Sequence, residues 1–171
     1  LRRGEVLGLQ WKNVDFEKRI ITICSSVVRA GKAIFQESTK TLSSNRILPM
    51  DDEIYNYLKE LKKRQKNNCS LFGNMYTKND FVCTWDDGRP FSPEYLSHAF
   101  KRILKKNNLP NIRFHDIRHS VATGLLNSGI DLKVIQEYLG HSTIGITANY
   151  YLHPDINEKS KALQQIGRLL Q

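Results

Sequence analysis

The apolar positions of this chain change rhythm along its length, and each rhythm predicts an element. Residues 2–12 read as the end of a helix, with Val6, Leu7 and Leu9 apolar and Trp11 closing the run. A polar turn follows over 13–18. Ile20, Ile21, Ile23, Val27 and Val28 are β-branched and predict a strand. Ala30-Gly31-Lys32 supplies a hairpin turn, and residues 33–37 a returning strand. A Ser/Thr/Lys-rich tip, 38–44, leads to a short run through Ile47 and Leu48 that stops at Pro49. Three short antiparallel strands account for this stretch.

Helical spacing takes over next. Asp51 caps a helix over 52–66 that places Ile54, Tyr57, Leu58 and Leu61 on one face. The Asn-rich stretch 67–79 reads as a loop, and 81–85 as an extended segment ended by Asp86-Asp87-Gly88. Ser92-Pro93-Glu94-Tyr95 opens a helix whose buried stripe is Leu96, Phe100, Ile103 and Leu104. Past Pro110 the pattern predicts helices over 115–128, 131–139, 143–151 and 155–170. Gly129 and Gly140 stand at C′ positions, and Asp131 and Ser142 or Thr143 at caps. The predicted class is α+β, mainly α: a helical domain with a small three-stranded antiparallel sheet.

Composition narrows the partner. The 171 residues suit one domain with its own hydrophobic core, and 40% hydrophobic content argues against disorder. Lys and Arg number 26 against 17 Asp and Glu, a net charge of +9 that favours a polyanionic partner. Cys24, Cys69 and Cys83 are too few and too far apart for a disulfide framework or a Cys-based zinc site, so a reducing cytoplasm is the expected location. No apolar run reaches membrane-spanning length, and none follows the opening residues as a signal peptide would. The chain starts inside a helical pattern without Met, which reads as a fragment of a longer protein.

Six polar residues stand in distinctive settings: Arg2, Lys40, His115, Arg118, His141 and Tyr151. His115 and Arg118 are three apart at a helix start and share a face. A helix N-terminus favours a phosphate, and a guanidinium fork matches two of its oxygens. Asp116 or Glu137 could instead pair with Arg118, as Glu5 could with Arg2. Lys40 lies at a hairpin tip that can reach a nucleic-acid groove. His141 follows Gly140 in a turn between helices. Tyr150-Tyr151 is an aromatic pair that could supply a phenol nucleophile if basic groups crowd its oxygen. His115 and His119 at i, i+4 also fit a helical zinc site, but Arg118 between them places a cation beside the dication. His119 is therefore assigned to packing.

These positions, in order, resemble the catalytic domain of the tyrosine recombinases, the phage and transposon integrase family. Arg2-Arg3-Gly4-Glu5 resembles its Arg-x-x-Glu segment, and Lys40 through Arg46 with Pro49 its β-hairpin lysine motif. His115-Asp116-Ile117-Arg118 resembles its His-x-x-Arg box, Leu139-Gly140-His141-Ser142 its second histidine motif, and Tyr151-Leu152-His153 its Tyr-x-His. The resemblance implies that Arg2 and Arg118 clamp a scissile phosphate and that Tyr151, rather than Tyr150, attacks to form a 3′-phosphotyrosyl bond. His115 would assist deprotonation, His141 would bond the phosphate, and Lys40 would protonate the leaving 5′-oxygen. Arg46 would be a structural or DNA-backbone residue of the hairpin.

No metal, ATP or other cofactor is implied. The partners implied are double-stranded DNA, other protomers in a tetrameric synapse through the 155–170 helix, and directionality factors. On this view residues 1–171 form the C-terminal catalytic domain, with the core-binding domain and first catalytic-domain helix missing. A site-specific recombinase or integrase of a phage or other mobile element is the leading reading. The alternatives are type IB topoisomerase chemistry, a non-catalytic DNA-binding module, and a metal nuclease using His115 and His119.

Overall fold

Two glycines one helical turn apart set the first packing contact. In the computed structural model, which describes residues 1–30, 32–36 and 45–140, Gly4 and Gly8 lie on α1 (Arg3–Gly8) against β3 (Ser26–Ala30). A Cβ on Gly4 would stand 2.5 Å from the Val27 carbonyl oxygen, and one on Gly8 would stand 2.8 Å from the Ser26 Cα. The helix therefore rests directly on strand backbone, an approach that only glycine permits. Ser25, just before β3, is buried and its hydroxyl donates to the Gly8 carbonyl at 2.6 Å.

That bond explains a departure from the predicted pattern. The β-branched run 20–28 is not one strand. It divides at Cys24-Ser25 into β2 (Ile20–Ile23) and β3, which belong to different sheets. β3 pairs with β4 (Lys32–Gln36) as an antiparallel hairpin, Ser26 opposite Gln36 and Ala30 opposite Lys32. β2 is the centre of a three-stranded antiparallel sheet, between β1 (Val14–Asp15) and β5 (Arg46–Pro49). Ile21 faces both Val14 and Leu48 across it. β1 occupies part of the stretch predicted as a polar turn.

One face of this sheet carries the larger core: Leu9, Val14, Ile21, Ile23, Leu48 and Met50, closed by Leu58 of α2 (Asp52–Phe72) and by Val82. Asp51 caps α2 by accepting from the Ile54 N–H at 2.8 Å. The helix continues past Lys66 to Phe72 and ends where Gly73 takes φ +52°. Side-chain bonds to the following segment hold its later turns. Gln65 accepts from the Trp11 indole at 2.7 Å and donates to the Val82 carbonyl at 2.9 Å, and Asn68 donates to Asp86 at 3.1 Å. Ile54 and Tyr57, predicted on its buried face, are exposed, while Tyr55 and Leu61 pack against the core.

Past an irregular stretch over 76–92 that bridges back through Phe81 to Gln10, the remaining elements among the described residues are helices. α3 (Pro93–Lys106) starts at the Ser92 cap, α4 (Phe114–Asn127) follows, and α5 (Leu132–Leu139) starts at Asp131. Ile103 of the predicted α3 stripe is exposed; Leu104 is buried. Ala122, Ile135 and Leu139 join α4 to α5 in a second, smaller core. The helices predicted over 143–151 and 155–170 lie outside the described residues. Among those described, no helix is long and apolar enough to cross a membrane.

The two kinds of helical glycine predict opposite outcomes. Gly8→Ala drives a methyl into the Ser26 backbone and should lower stability by about 2 kcal/mol in urea unfolding. Gly124→Ala, in exposed α4 with nothing described within 4 Å of the new Cβ, should raise it by up to about 1 kcal/mol.

Candidate active site

Glu5 is a carboxylate on the third residue of α1, and it is buried to 2% exposure. Each of its oxygens accepts two bonds. Oε1 takes Arg2 Nη1 at 2.8 Å and Arg46 Nη1 at 3.1 Å. Oε2 takes the Arg2 backbone N–H at 2.7 Å and Arg46 Nη2 at 2.8 Å. Arg46 is itself buried and sends its Nε to the Tyr138 carbonyl at 2.9 Å. Arg2 sends Nη2 to the Gly140 carbonyl at 2.8 Å. One carboxylate thus ties the start of α1 to β5 and, through both guanidinium groups, to the end of α5.

Gly140 completes this join for two reasons. It closes α5 in the left-handed region at φ +68°, and a Cβ there would stand 2.9 Å from Arg46 Nη1. Burial alone would push the Glu5 carboxyl up. The Arg46 side-chain bond, the Arg2 N–H and the nearby positive charges outweigh it and bring its pKa down from 4.5 to about 2. A single negative charge cannot neutralise two arginines, so the cluster keeps a net positive charge. Arg2, with 38% of its side chain exposed, is the half of the cluster that solvent reaches.

Arg2 opens onto a cleft of about 840 Å³ between α1, β3, α3 and the start of α4. Arg3, Lys101, Arg113 and His115 share its walls with Arg2, and no carboxylate lines it among the described residues. Arg3 donates to Ser97 of α3 at 2.9 Å, and the Phe100 and Phe114 rings meet edge to face at 5.5 Å, which joins α3 to α4. The first turn of α4 contributes His115 and its free N–H groups. Partial desolvation, then the positive fields of His119, Arg118, Arg2 and Arg113, hold the His115 pKa below its usual 6.5. The ring is therefore neutral at pH 7 and able to accept a proton.

Of the six candidate residues, Arg2 and His115 share this cleft. Arg118 is buried one turn further along α4, at 5% exposure, and lines a neighbouring apolar hollow beside Val6, Ile117 and Leu139. Its charge acts on His115 from there. Of the partners considered for it, Asp116 is bonded to Arg113 at 2.8 Å and Glu137 lies 3.7 Å from Lys133. His119 packs edge to face on His115, their rings 4.8 Å apart. Among the described residues no three His, Cys, Asp or Glu side chains gather as a metal site. Lys40, His141 and Tyr151 lie outside the described residues.

Sequence reasoning missed Arg3, Lys101 and Arg113 as cleft residues. Arg3 adjoins Arg2 and Arg113 stands two residues before His115, which was the available signal. Of the two roles considered for Arg46, its burial on Glu5 supports the structural one.

A sequence model of the phage integrase family matches residues 1–158. The chain belongs to the phage integrase family. This integrase-family chain is 33% identical to a tyrosine recombinase XerC-like protein of Caldanaerobacter subterraneus, over 99% of its own length and 46% of the relative's. It is 29% identical to the transposase from transposon Tn916 of Enterococcus faecalis, over 98% of its length and 43% of the relative's. Among solved structures, the Tn1549 transposon integrase in complex with transposon right end DNA is similar at a TM-score of 0.81. That match has 26% identity and covers 98% of this chain and 55% of the other. The chain thus spans about half the length of the curated relatives it matches.

The Glu5 cluster predicts an acid transition. Its pKa is lower folded than unfolded, so the unfolded chain binds the extra proton between pH 4.5 and about 2. The stabilisation is complete above that window, lost as pH falls through it, and worth about 3 kcal/mol. Glu5→Gln should remove this pH dependence from urea unfolding and lower stability at pH 7 by about 3–5 kcal/mol, because Arg46 is left buried without its counter-charge.

Proposed function

We propose that this domain cleaves and rejoins DNA strands as the catalytic part of a site-specific recombinase or integrase serving a phage or other mobile element. The observation that carries this reading is the cleft. A guanidinium fixed by Glu5 and Gly140 opens beside a neutral imidazole and a helix N-terminus, with cations around them and no carboxylate on the described walls. A phosphodiester supplies the missing negative charge, and its nonbridging oxygens suit a guanidinium held in one orientation.

In this reading Arg2, joined by Arg118 once its guanidinium turns from the neighbouring hollow into the cleft, stabilises the charge that builds on the phosphate oxygens as the fifth bond forms. Tyr151 attacks in line; its phenolic proton passes to a base, with His115 assisting, and its oxygen forms the 3′-phosphotyrosyl bond as the 5′-oxygen departs. Lys40 delivers a proton to that leaving oxygen, and His141 bonds the phosphate. The phosphodiester energy is conserved in the protein–DNA bond, so a second 5′-hydroxyl can reverse the step on another strand without ATP. We further propose that residues 1–171 act as the catalytic domain of a longer protein in the cytoplasm. That protein works with other protomers in a tetrameric synapse and with directionality factors. The relatives' names, which include a recombinase, a transposase and a transposon integrase, support this assignment.

A suicide duplex nicked beside the scissile phosphate tests the chemistry. A covalent protein–DNA band should form with the parent chain, persist in Tyr150→Phe and vanish in Tyr151→Phe; a band retained in Tyr151→Phe overturns the nucleophile. The His115 shift predicts a second outcome. The single-turnover rate of covalent-complex formation should hold at pH 7 and fall only below pH 6.5, as the ring protonates. That acid limb should be absent in His115→Asn.

A further inference from the structure

We propose that a lysine-rimmed groove on α2, separate from the cleft, docks an acidic amphipathic peptide segment of a partner protein. The groove has a volume of about 640 Å³ and shares no residue with the cleft. Its floor is aromatic: Trp11, Phe16, Tyr55 and Tyr76. Lys59, Lys62, Lys63 and Lys66 recur at i, i+3, i+4 and i+7 on α2 and form one rim, with Lys78 contributed from the following loop. No Asp or Glu lines it among the described residues. An apolar trough with five ammonium groups around it is complementary to a chain that alternates carboxylates with Leu or Phe.

The ring geometry argues for peptide over nucleic acid. Single-stranded DNA binds such grooves by stacking bases on open aromatic faces. Here Trp11 and Phe16 stack on each other at 6.4 Å, and the Lys62 ammonium lies 5.4 and 5.3 Å from their ring centres. Tyr55 has Arg19 at 4.6 Å and Lys59 at 5.7 Å. Cations already cover the faces a base would need, whereas Leu and Phe side chains need only the ring edges and lysine stems that line the rest of the groove, and the Trp11 indole is fixed by Gln65. A duplex would meet the lysines and leave the apolar floor unfilled. A second copy of this chain brings a net charge of +9, and residues 155–171 carry Lys159, Lys161 and Arg168 against Asp155 and Glu158. Neither is complementary.

The probe is a fluorescein-labelled synthetic amphipathic peptide with Asp and Glu on one face and Leu and Phe on the other, read by anisotropy. It should bind more weakly as salt rises. Lys62→Glu with Lys66→Glu should weaken it by about tenfold or more. The same charge change on exposed α3, Lys105→Glu with Lys106→Glu, should alter it by less than about twofold. Replacing the peptide's Asp and Glu by Asn and Gln should abolish binding, and circular dichroism should match across the variants. Equal weakening by both lysine pairs would reduce the effect to bulk charge and overturn the proposal. Binding of the neutral peptide with undiminished affinity, or displacement of the peptide by a single-stranded oligonucleotide, would overturn it as well.

Discussion

The carboxylate of Glu5 is the one acid in a group of bases, and the placement of the surrounding elements depends on it. Burying a carboxylate costs several kcal/mol unless its lone pairs are filled, and here all four are taken by Arg2 and Arg46. Those arginines continue outward to the Gly140 and Tyr138 carbonyls. This polar join links α1, β5 and the end of α5. The same join orients Arg2, so the packing constraint and the candidate chemistry meet in one side chain.

Charge is distributed to match. The carboxylates near the cleft are already used: Glu5 beneath Arg2, and Asp116 against Arg113. What lines it is cationic or neutral, and His115 stays neutral at pH 7 because partial burial, and then its positive neighbours, disfavour its cation. A site arranged this way attracts an anion and keeps one proton acceptor beside it. The second basic surface, on α2, differs in kind. Its lysines surround apolar rings, whereas the cleft sets its arginines beside a neutral imidazole and a helix end.

What the sequence revealed follows the range of the forces involved. Caps act over three residues, so Asp51, Ser92 and Asp131 were legible as helix starts, as was Gly140 as a helix end. His115 and Arg118 were legible as residues of one helix start, though they line different hollows. The division of the β-branched run at Ser25 was not, because its cause is a buried hydroxyl bonded to Gly8, seventeen residues earlier. The extension of α2 to Phe72 depends on Gln65 and Asn68 reaching residues 82–86. The role of Arg46 depends on a carboxylate 41 residues away. Local patterns gave no measure of those distances. Arg118 is the instructive case within the site: its helix position was correct, yet its guanidinium is buried beside an apolar hollow rather than on the cleft wall.

The most direct test of the account is a crystal structure of this domain with a duplex carrying its scissile phosphate. One phosphate should sit in the cleft on the Arg2 guanidinium, with Arg118 turned from its neighbouring hollow to meet it and Glu5 still holding Arg2 and Arg46. A phosphate bound elsewhere, or Arg2 drawn away from Glu5 to reach it, would contradict it.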